Sequence, residues 1–340
     1  CEADGKISIN SMKERIVFID IAKAVCIILV VVGHYVPDNS PGWYVTLHDI
    51  IYTFHMPLFM FASGYVYIAT KRDVGYKDFL VKKIRRLMVP YLATSVVVIT
   101  LKLLTQGSLS VDNPVTSASF LRMFYLPEAG YFLWFIWALW WMFVIVPLMK
   151  TKQSRLLFFF VCLVLHFIPM SLPDVFCLSQ CKQMIVFFMF GVVAYEQKFL
   201  HEFVNGFSMR KVAAASLLFV AVQYAEMANG GGKNTLIDAV LPYVGIFFVI
   251  EMSKLVCRFY GKVQSSWMMV VAASSYIIYL FHTTFEGFAK AVLRKMPLDS
   301  DLWFVFVPEA LIVVGCGVVM PVLLYKVFKR YRVTKLLFGL

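Results

Sequence analysis

The chain has 340 residues, of which 61% are hydrophobic and only 15% are charged, and its mean hydropathy is +0.77. Water-soluble domains of this length do not have such a composition, so the sequence predicts a multi-pass membrane protein. The net charge of +12 comes from basic residues clustered in short loops, which is the distribution that sets membrane topology and does not indicate nucleic-acid binding.

Ten apolar runs predict an all-α bundle of about ten transmembrane helices. They cover residues 16–36, 49–69, 87–106, 131–149, 156–170, 183–198, 212–228, 237–255, 267–285 and 303–326. A cytoplasmic N-terminus places most Lys and Arg residues in inner loops, and an even number of spans then places both termini inside. Residues 1–11 share no pattern with the rest of the chain and are interpreted as an extension or cloning remnant, which leaves 12–340 as a single transmembrane domain.

The first run carries Lys23 and His34 within a strongly apolar segment. Such residues are costly unless they face a protein interior or a water-filled cavity, so they are interpreted as functional. Helical geometry places His34 within roughly 20° of Lys23 and about 16 Å further along the axis. Asp20 lies on the same stripe and is expected to pair with Lys23. We therefore predict His34 as a general base toward the outer half, the alternative being an interfacial histidine bonded to a neighbouring helix.

The second run contains FHMPLFMFASGY, in which Pro57 interrupts the helical hydrogen bonding. Such breaks are tolerated where the backbone lines a cavity or packs on protein. His55 is a candidate hydrogen-bond donor to an oxyanion, or else a buried histidine between helices. Ser63 and Gly64 allow close approach of another helix, and packing is their simplest interpretation.

A basic cluster, defined as Lys82, Lys83, Arg85 and Arg86, precedes the third run on the predicted cytoplasmic side. Arg binds phosphate in bidentate fashion and Lys binds it as a point charge. The cluster is therefore a candidate for holding the phosphates of a nucleotide-bearing donor such as coenzyme A. Topology setting and contact with anionic lipid head groups are the alternatives.

Three further candidates lie near the predicted outer ends of helices. Glu128 precedes the fourth helix and is either an orienting carboxylate or a solvated loop residue. Trp134 is a candidate for supporting an acceptor, although aromatic residues at a membrane edge usually form the interfacial belt. His282 and Glu286 are four residues apart on one helical face and are expected to form a local hydrogen-bonded pair.

Other kinds of site receive little support from the sequence. Cys177 and Cys181 are spaced so that a disulfide is feasible in an oxidising compartment, and the sequence leaves that pairing open. No grouping of His, Cys and Asp in the sequence resembles a metal site, and no nucleophile elbow or phosphate-binding loop is present.

Five segments, taken in order, resemble the integral-membrane acyltransferase family 3, and within it the fucose 4-O-acetylase-like proteins that modify bacterial surface glycans. The segments are DIAKAVCIILVVVGH, FHMPLFMFASGY, KKIRRLMVPY, LWFIWALWW and SYIIYLFHTTF. No single segment is specific, but the five in this order are. The resemblance implies ten membrane helices, a cytoplasmic acyl-CoA donor and an acceptor hydroxyl on the far side.

The resemblance also assigns individual residues. Lys23 and His34 take the places of the family's essential basic residue and histidine. Lys83 and Arg86 take those of its basic pair, and Ser63 with the following glycine takes that of its SG(F/Y) step. Lysine replaces the commoner arginine at position 23, which keeps the charge but loses bidentate phosphate binding.

The expected function is transfer of an acyl group, most simply acetyl, from cytoplasmic acetyl-CoA to a hydroxyl of an extracytoplasmic or lipid-linked glycan. The enzyme is expected in the inner membrane of a bacterium. Acyl-CoA, the sugar acceptor and the lipid bilayer are its expected partners, with acetyl-CoA as co-substrate and no bound cofactor, metal or nucleic acid. Direct transfer and an acyl-histidine intermediate both remain open.

Two alternatives accompany this expectation. A secondary transporter or glycolipid flippase would use Lys23 and His34 as a proton relay, but the sequence lacks the repeated halves common in transporters. The second alternative keeps the enzyme class and changes the donor to succinyl-CoA or the acceptor to an amine.

Overall fold

The computed structural model describes residues 16–38, 40–107, 113–229, 235–259, 267–294 and 303–340. All ten predicted runs are helical, and the described residues contain no strand, so the predicted all-α bundle is confirmed. The proposed extension at 1–11 lies outside the described residues. The α-helices are α1 (Val17–His34), α2 (Gly42–Ala69), α3 (Tyr76–Lys83), α4 (Val89–Thr105), α5 (Ser119–Arg122), α6 (Trp134–Ile145), α7 (Lys152–Phe167), α8 (Leu178–Glu196), α9 (Lys198–Asn205), α10 (Met209–Ala228), α11 (Thr235–Phe259), α12 (Trp267–Leu293), α13 (Trp303–Phe328) and α14 (Arg332–Leu337).

Eight helical segments of the described chain are long and apolar enough to cross a membrane. The other two predicted spans are α2 and α7, and both are helices. α7 has 16 residues, and α2 carries His48, Asp49 and His55. Polar residues are tolerated in α2 because it packs on α1, α8 and α11 and buries much of its surface on protein.

The helices α2 and α8 cross in close contact in the centre of the bundle. A side-chain carbon added at Gly64 would overlap the carbonyl oxygen of Phe188. One added at Gly191 would overlap the carbonyl oxygen of Phe61 on the opposite helix. Glycine at both positions therefore lets the two backbones touch, as small residues do in membrane bundles.

The basic cluster lies where α3 runs through a single π-helical turn, Ile84–Met88, into α4. Lys83 extends over the ring of Phe143, with Nζ 3.5 Å from the ring centroid. The C-terminal segment returns to this place, because Gly339 lies against the backbone of Arg86. Short π-helical turns occur often at functional sites, so this backbone feature draws attention to the cluster.

The loop between α4 and α6 is held by Tyr91, which is fully buried on α4. Its hydroxyl lies 2.7 Å from the Met123 carbonyl oxygen and 2.9 Å from that of Leu126, and it donates to one of them at a time. This bond fixes the loop from which residues 129–132 line a cavity at one end of the bundle.

Replacing Tyr91 with Phe is expected to lower the free energy of unfolding by about 1–3 kcal/mol, because buried carbonyl groups lose their donor. The loss is measured as a fall in melting temperature of the purified protein. Tyr131→Phe is the matched control, since its ring is 64% exposed and its loss should cost less than about 0.5 kcal/mol. Equal melting temperatures for the two variants would contradict this account of the loop.

Cys177 and Cys181 are both buried and are not bonded to each other. Phe176 and Cys177 have left-handed backbone angles, with φ of 57° and 55°, at the turn that begins α8. In this conformation both thiols pack in the hydrophobic core.

Candidate active site

A cavity of about 850 Å³ lies at one end of the bundle and is here called the His34 cavity. Its walls come from the end of α1, α4, α7 and α12 and from the beginning of α2, α6, α8 and α11. The polar residues that line it are His34, Tyr52, Thr53, His55, Lys102, Thr105, Asn113, Tyr131, His166, Gln183, Asp238, Tyr279, Thr283, Thr284, Glu286, Lys290 and Arg294. This is the end of the bundle that the topology prediction places outside.

Part of the wall of the His34 cavity is apolar and aromatic. Val30, Met56 and Pro57 lie there with Phe132 and Trp134. Pro57 thus occurs at a cavity wall, the setting in which a helix break is tolerated. The combination of polar and aromatic lining residues is typical of sites for small molecules that carry a few polar groups.

His34 is the last residue of α1 and projects into this cavity. Its ring centroid lies 4.9 Å from that of His282 and 6.1 Å from that of Phe132. Because α1 ends at His34, the ring contacts of this imidazole come from His282 on α12 and from Phe132 in the segment before α6. The predicted general base is therefore placed where a substrate in the cavity would contact it.

His282 lies directly behind His34 and is fully buried. Its Nδ1 is 2.9 Å from the Tyr279 carbonyl oxygen and 3.1 Å from that of Ile278. Because a carbonyl oxygen only accepts, Nδ1 carries the proton and Nε2 carries the lone pair. That Nε2 has no hydrogen-bond partner among the described residues.

The expected local pair of His282 and Glu286 is wrong. The imidazole turns back to the carbonyl groups of its own preceding turn instead of forward to the carboxylate. Glu286 is also buried, lines the cavity, and has Oε1 without a hydrogen-bond partner within the described chain. Both side chains thus have a buried polar atom without a partner among the described residues, and that of Glu286 lies near Gly317 of α13.

His55 lines the cavity and is 4% exposed. Its Nδ1 donates to the carbonyl oxygen of Ile51 at 2.8 Å, and the Tyr52 ring lies 4.7 Å away. Neutral His55 therefore presents a lone pair at Nε2, and donation from that atom requires the imidazolium form. The role of His55 as oxyanion donor stays a prediction with this added condition.

Lys23 and Asp20 form an ion pair of 3.9 Å one to two turns into α1, and neither lines the His34 cavity. Between them and His34 the helix face is packed, with Ile27 and Val30 at most 2% exposed. The pair and the histidine occupy separate environments, as their spacing predicts.

The basic cluster lies at the other end of α4 from the cavity. The 17 residues of α4 correspond to about 25 Å of helix. Lys82, Arg85 and Arg86 are exposed, while Lys83 is half-buried over its aromatic partner. Ser63 and Gly64 do not line the cavity either. Binding of acyl-CoA by the basic cluster, Ser63 and Gly64 stays a prediction.

Glu128 is held in its loop and does not line the cavity. Its Oε2 accepts a hydrogen bond from the Ser119 hydroxyl at 2.9 Å, and its Oε1 lies 3.9 Å from Arg122. The neighbouring stretch from Ala129 to Phe132 forms part of the wall, as does Trp134. Glu128 thus lies beside the site, where its contacts order the loop.

Comparison with known proteins gives the family. The model of the acyltransferase 3 family, which is described as an acyltransferase domain, matches residues 16–326. The chain belongs to the acyltransferase 3 family. The similarity also extends to the nodulation protein NolL of Mesorhizobium japonicum (strain LMG 29417 / CECT 9101 / MAFF 303099), at 28% identity over 137 residues. That alignment covers 39% of this chain and about a third, 35%, of the length of the NolL protein. No solved structure matches the chain.

The structure adds two residues to the cavity that the sequence did not single out, Tyr52 and Lys290. Tyr52 packs on His55, and Lys290 lies four residues after Glu286 on the same helix face. The i,i+4 spacing was a usable signal for Lys290. Tyr52 had no signal of its own, because only the folded bundle brings it beside the last turn of α1.

Proposed function

We propose that this acyltransferase 3 family member transfers an acyl group, most simply acetyl, from acyl-CoA to a hydroxyl of a sugar. The observation that carries the proposal is the position of His34 in the wall of a polar and aromatic cavity, at the end of the bundle away from the basic cluster. The two ends then serve two substrates, the nucleotide donor at one and the acceptor at the other.

The cavity lining supports a sugar as acceptor. Tyr131, Phe132 and Trp134 offer aromatic faces for the apolar face of a sugar ring. Asp238 and Glu286 are acceptors for sugar hydroxyl groups, and the surrounding Lys and Arg side chains are donors. An extracytoplasmic or lipid-linked glycan in a bacterial inner membrane would reach such a site from the outer face.

In the proposed step, His34 removes the proton of the attacking hydroxyl as its oxygen bonds to the thioester carbon. The carbon–sulfur bond then breaks, and the proton held by His34 passes to the leaving thiolate of coenzyme A. The tetrahedral intermediate carries an oxyanion that needs a hydrogen-bond donor. Protonated His55 is our candidate for that donor, because its side chain lines the cavity from α2.

At the donor end, the basic cluster would bind the phosphates of coenzyme A, with Lys23 steadying the donor further along α1. The acyl-bearing arm must then cover the distance of about 16 Å between Lys23 and His34. Since Ile27 is fully buried between Lys23 and the cavity, entry of the arm requires α1 to separate locally from its neighbours at that turn.

The experiment that tests the function uses purified protein with radiolabelled acetyl-CoA and a water-soluble methyl glycoside. Release of the coenzyme A thiol together with label on the glycoside supports the proposal. Succinyl-CoA and an aminosugar in parallel reactions decide between acetyl and succinyl donors and between hydroxyl and amine acceptors. Movement of a labelled glycolipid across vesicles without thiol release would instead favour the transporter or flippase.

The basic cluster gives a quantitative expectation. Replacing Lys82, Arg85 and Arg86 together with Ala should raise the KM for acetyl-CoA by about tenfold or more, since charge-assisted hydrogen bonds to phosphate are lost, and should leave kcat within about twofold. Lys198→Ala is the control, because this lysine is an exposed cation at the same end of the bundle. An unchanged KM in the triple variant would assign the cluster to topology or lipid contact.

A further inference from the structure

We propose that His282 is the positioning residue of this site, which accepts a hydrogen bond from His34 and thereby fixes the tautomer in which His34 acts as a base. The proposal rests on the proposed acyl transfer for its kinetic consequences. The contact between the two imidazoles is observed in the structure and does not depend on the proposed reaction.

The neutral ring of His282 has a fixed protonation pattern. Its Nδ1 lies within hydrogen-bond distance of two backbone carbonyl oxygens of its own helix. Both partners only accept, so the proton is held at Nδ1, and Nε2 is left as an acceptor. His282 is fully buried, and this acceptor has no partner among the described residues.

The ring contacts of His282 include one other imidazole, that of His34. Phe132 and Tyr279 enclose the His282 ring, at centroid distances of 5.1 and 6.3 Å. The remaining polar ring in contact is His34, at a centroid distance of 4.9 Å and an interplanar angle of 53°. Imidazoles joined by one N–H···N hydrogen bond have centroids about 5 Å apart, because an N···N distance of about 3 Å adds to the two ring radii.

The centroid separation of the two imidazoles matches that of a hydrogen-bonded pair, but no hydrogen bond joins them in this conformation. Rotation of the His34 ring about its last side-chain bond completes the contact and supplies the unpaired acceptor with a donor, as buried polar atoms require. Hydrogen bonds of catalytic groups are often loose before substrate binds and tighten in the complex.

The chemical consequence follows from the two nitrogens of His34. When one carries the proton donated to His282, the other must carry the lone pair, and that nitrogen can take the proton of a hydroxyl in the cavity. The same contact stabilises the imidazolium that forms during the reaction, because the donated N–H is retained. His282 does not line the cavity, so it acts through His34 and not on substrate.

The kinetic test compares His282→Phe, His282→Gln and the control His48→Phe. Phenylalanine retains the ring volume without the acceptor, whereas glutamine places an amide oxygen near the position of Nε2. His48 is a histidine at the same end of the bundle that does not line the cavity and lies beside Asp49. Thiol release from acetyl-CoA gives kcat and KM for each purified variant.

We expect His282→Phe to lower kcat by about 100-fold, the lower range for loss of a working acid–base group, with KM for acetyl-CoA within about twofold. His282→Gln should recover at least about tenfold of that loss, and His48→Phe should match the parent protein. The proposal is overturned if His282→Phe retains more than half of the parent kcat, if glutamine gives no recovery over a well-folded phenylalanine variant, or if only KM changes.

A second measurement uses the parent protein, so it depends neither on the folding of the His282→Phe variant nor on acyl-transfer activity. Nitrogen-15 NMR of histidine-labelled parent protein, with the His34 signal assigned by its loss in His34→Ala, should show a neutral His34 protonated at one nitrogen only. A His34 that exchanges between both tautomers would overturn the proposal even if His282→Phe fails to fold. Absence of thiol release from the parent protein would refute the proposed function, and the NMR result would still decide the contact.

Discussion

His34→Ala is expected to lower kcat for acyl transfer by about 10³-fold, within the range found when a general base is removed. The side chain lies at the end of α1 in the wall of the cavity, so its loss should not disturb the core. The KM for acetyl-CoA should stay within about twofold, because the basic cluster proposed to bind the donor phosphates lies at the other end of the bundle. Initial rates of thiol release and of label transfer to a methyl glycoside measure both constants.

The control for this variant is His48→Ala, which removes an imidazole at the same end of the bundle from outside the cavity. It should retain the parent rate. His34→Ala must also elute as a single species with the parent melting temperature, so that a loss of rate reports chemistry. A kcat above one tenth of the parent value would remove His34 from the role of base.

Gly64→Ala is expected to cost at least about 3 kcal/mol of stability, at or beyond the upper end of the range for overpacked cores. The new methyl group would overlap the carbonyl oxygen of Phe188 on α8. A backbone atom cannot rotate away as a side chain can, so the two helices must separate along their crossing. The expected result is a large fall in melting temperature and in yield of folded protein.

Gly315→Ala is the matched control, because no atom lies within 4 Å of a side-chain carbon added at this helical glycine. It should be neutral or should stabilise the protein by about 0.5–1 kcal/mol, since alanine loses less backbone entropy in a helix. If Gly64→Ala had the stability of Gly315→Ala, the close crossing of α2 and α8 would be incorrect.

The fold was largely predictable from the sequence because lipid imposes a strong constraint on every span. Backbone groups in hydrocarbon must bond within their own helix, so each apolar run indicates a helix whatever its neighbours are. The exception is α2, which was predicted as a span but is more polar than the eight long apolar helices. α2 keeps polar residues because protein surrounds it, and the sequence alone does not reveal which helix is central.

The site was predictable only where one helix contains the whole signal. The stripe on α1 led to His34 at a cavity and to an ion pair between Lys23 and Asp20. The contact of His34 with His282 joins helices about 250 residues apart in the chain, and helical periodicity gives a face without naming its partner. Spacing likewise placed His282 beside Glu286, whereas the imidazole bonds to its own backbone.

Reconstituted vesicles of known protein orientation test directly whether donor and acceptor meet across the membrane at His34. Radiolabelled acetyl-CoA is supplied only on the side of the basic cluster, and a membrane-impermeant methyl glycoside only on the side of the His34 cavity. The account predicts labelled glycoside in this arrangement and none when the two substrates are exchanged between sides. Transfer that requires both substrates on one side, or that proceeds equally well after the exchange, would contradict it.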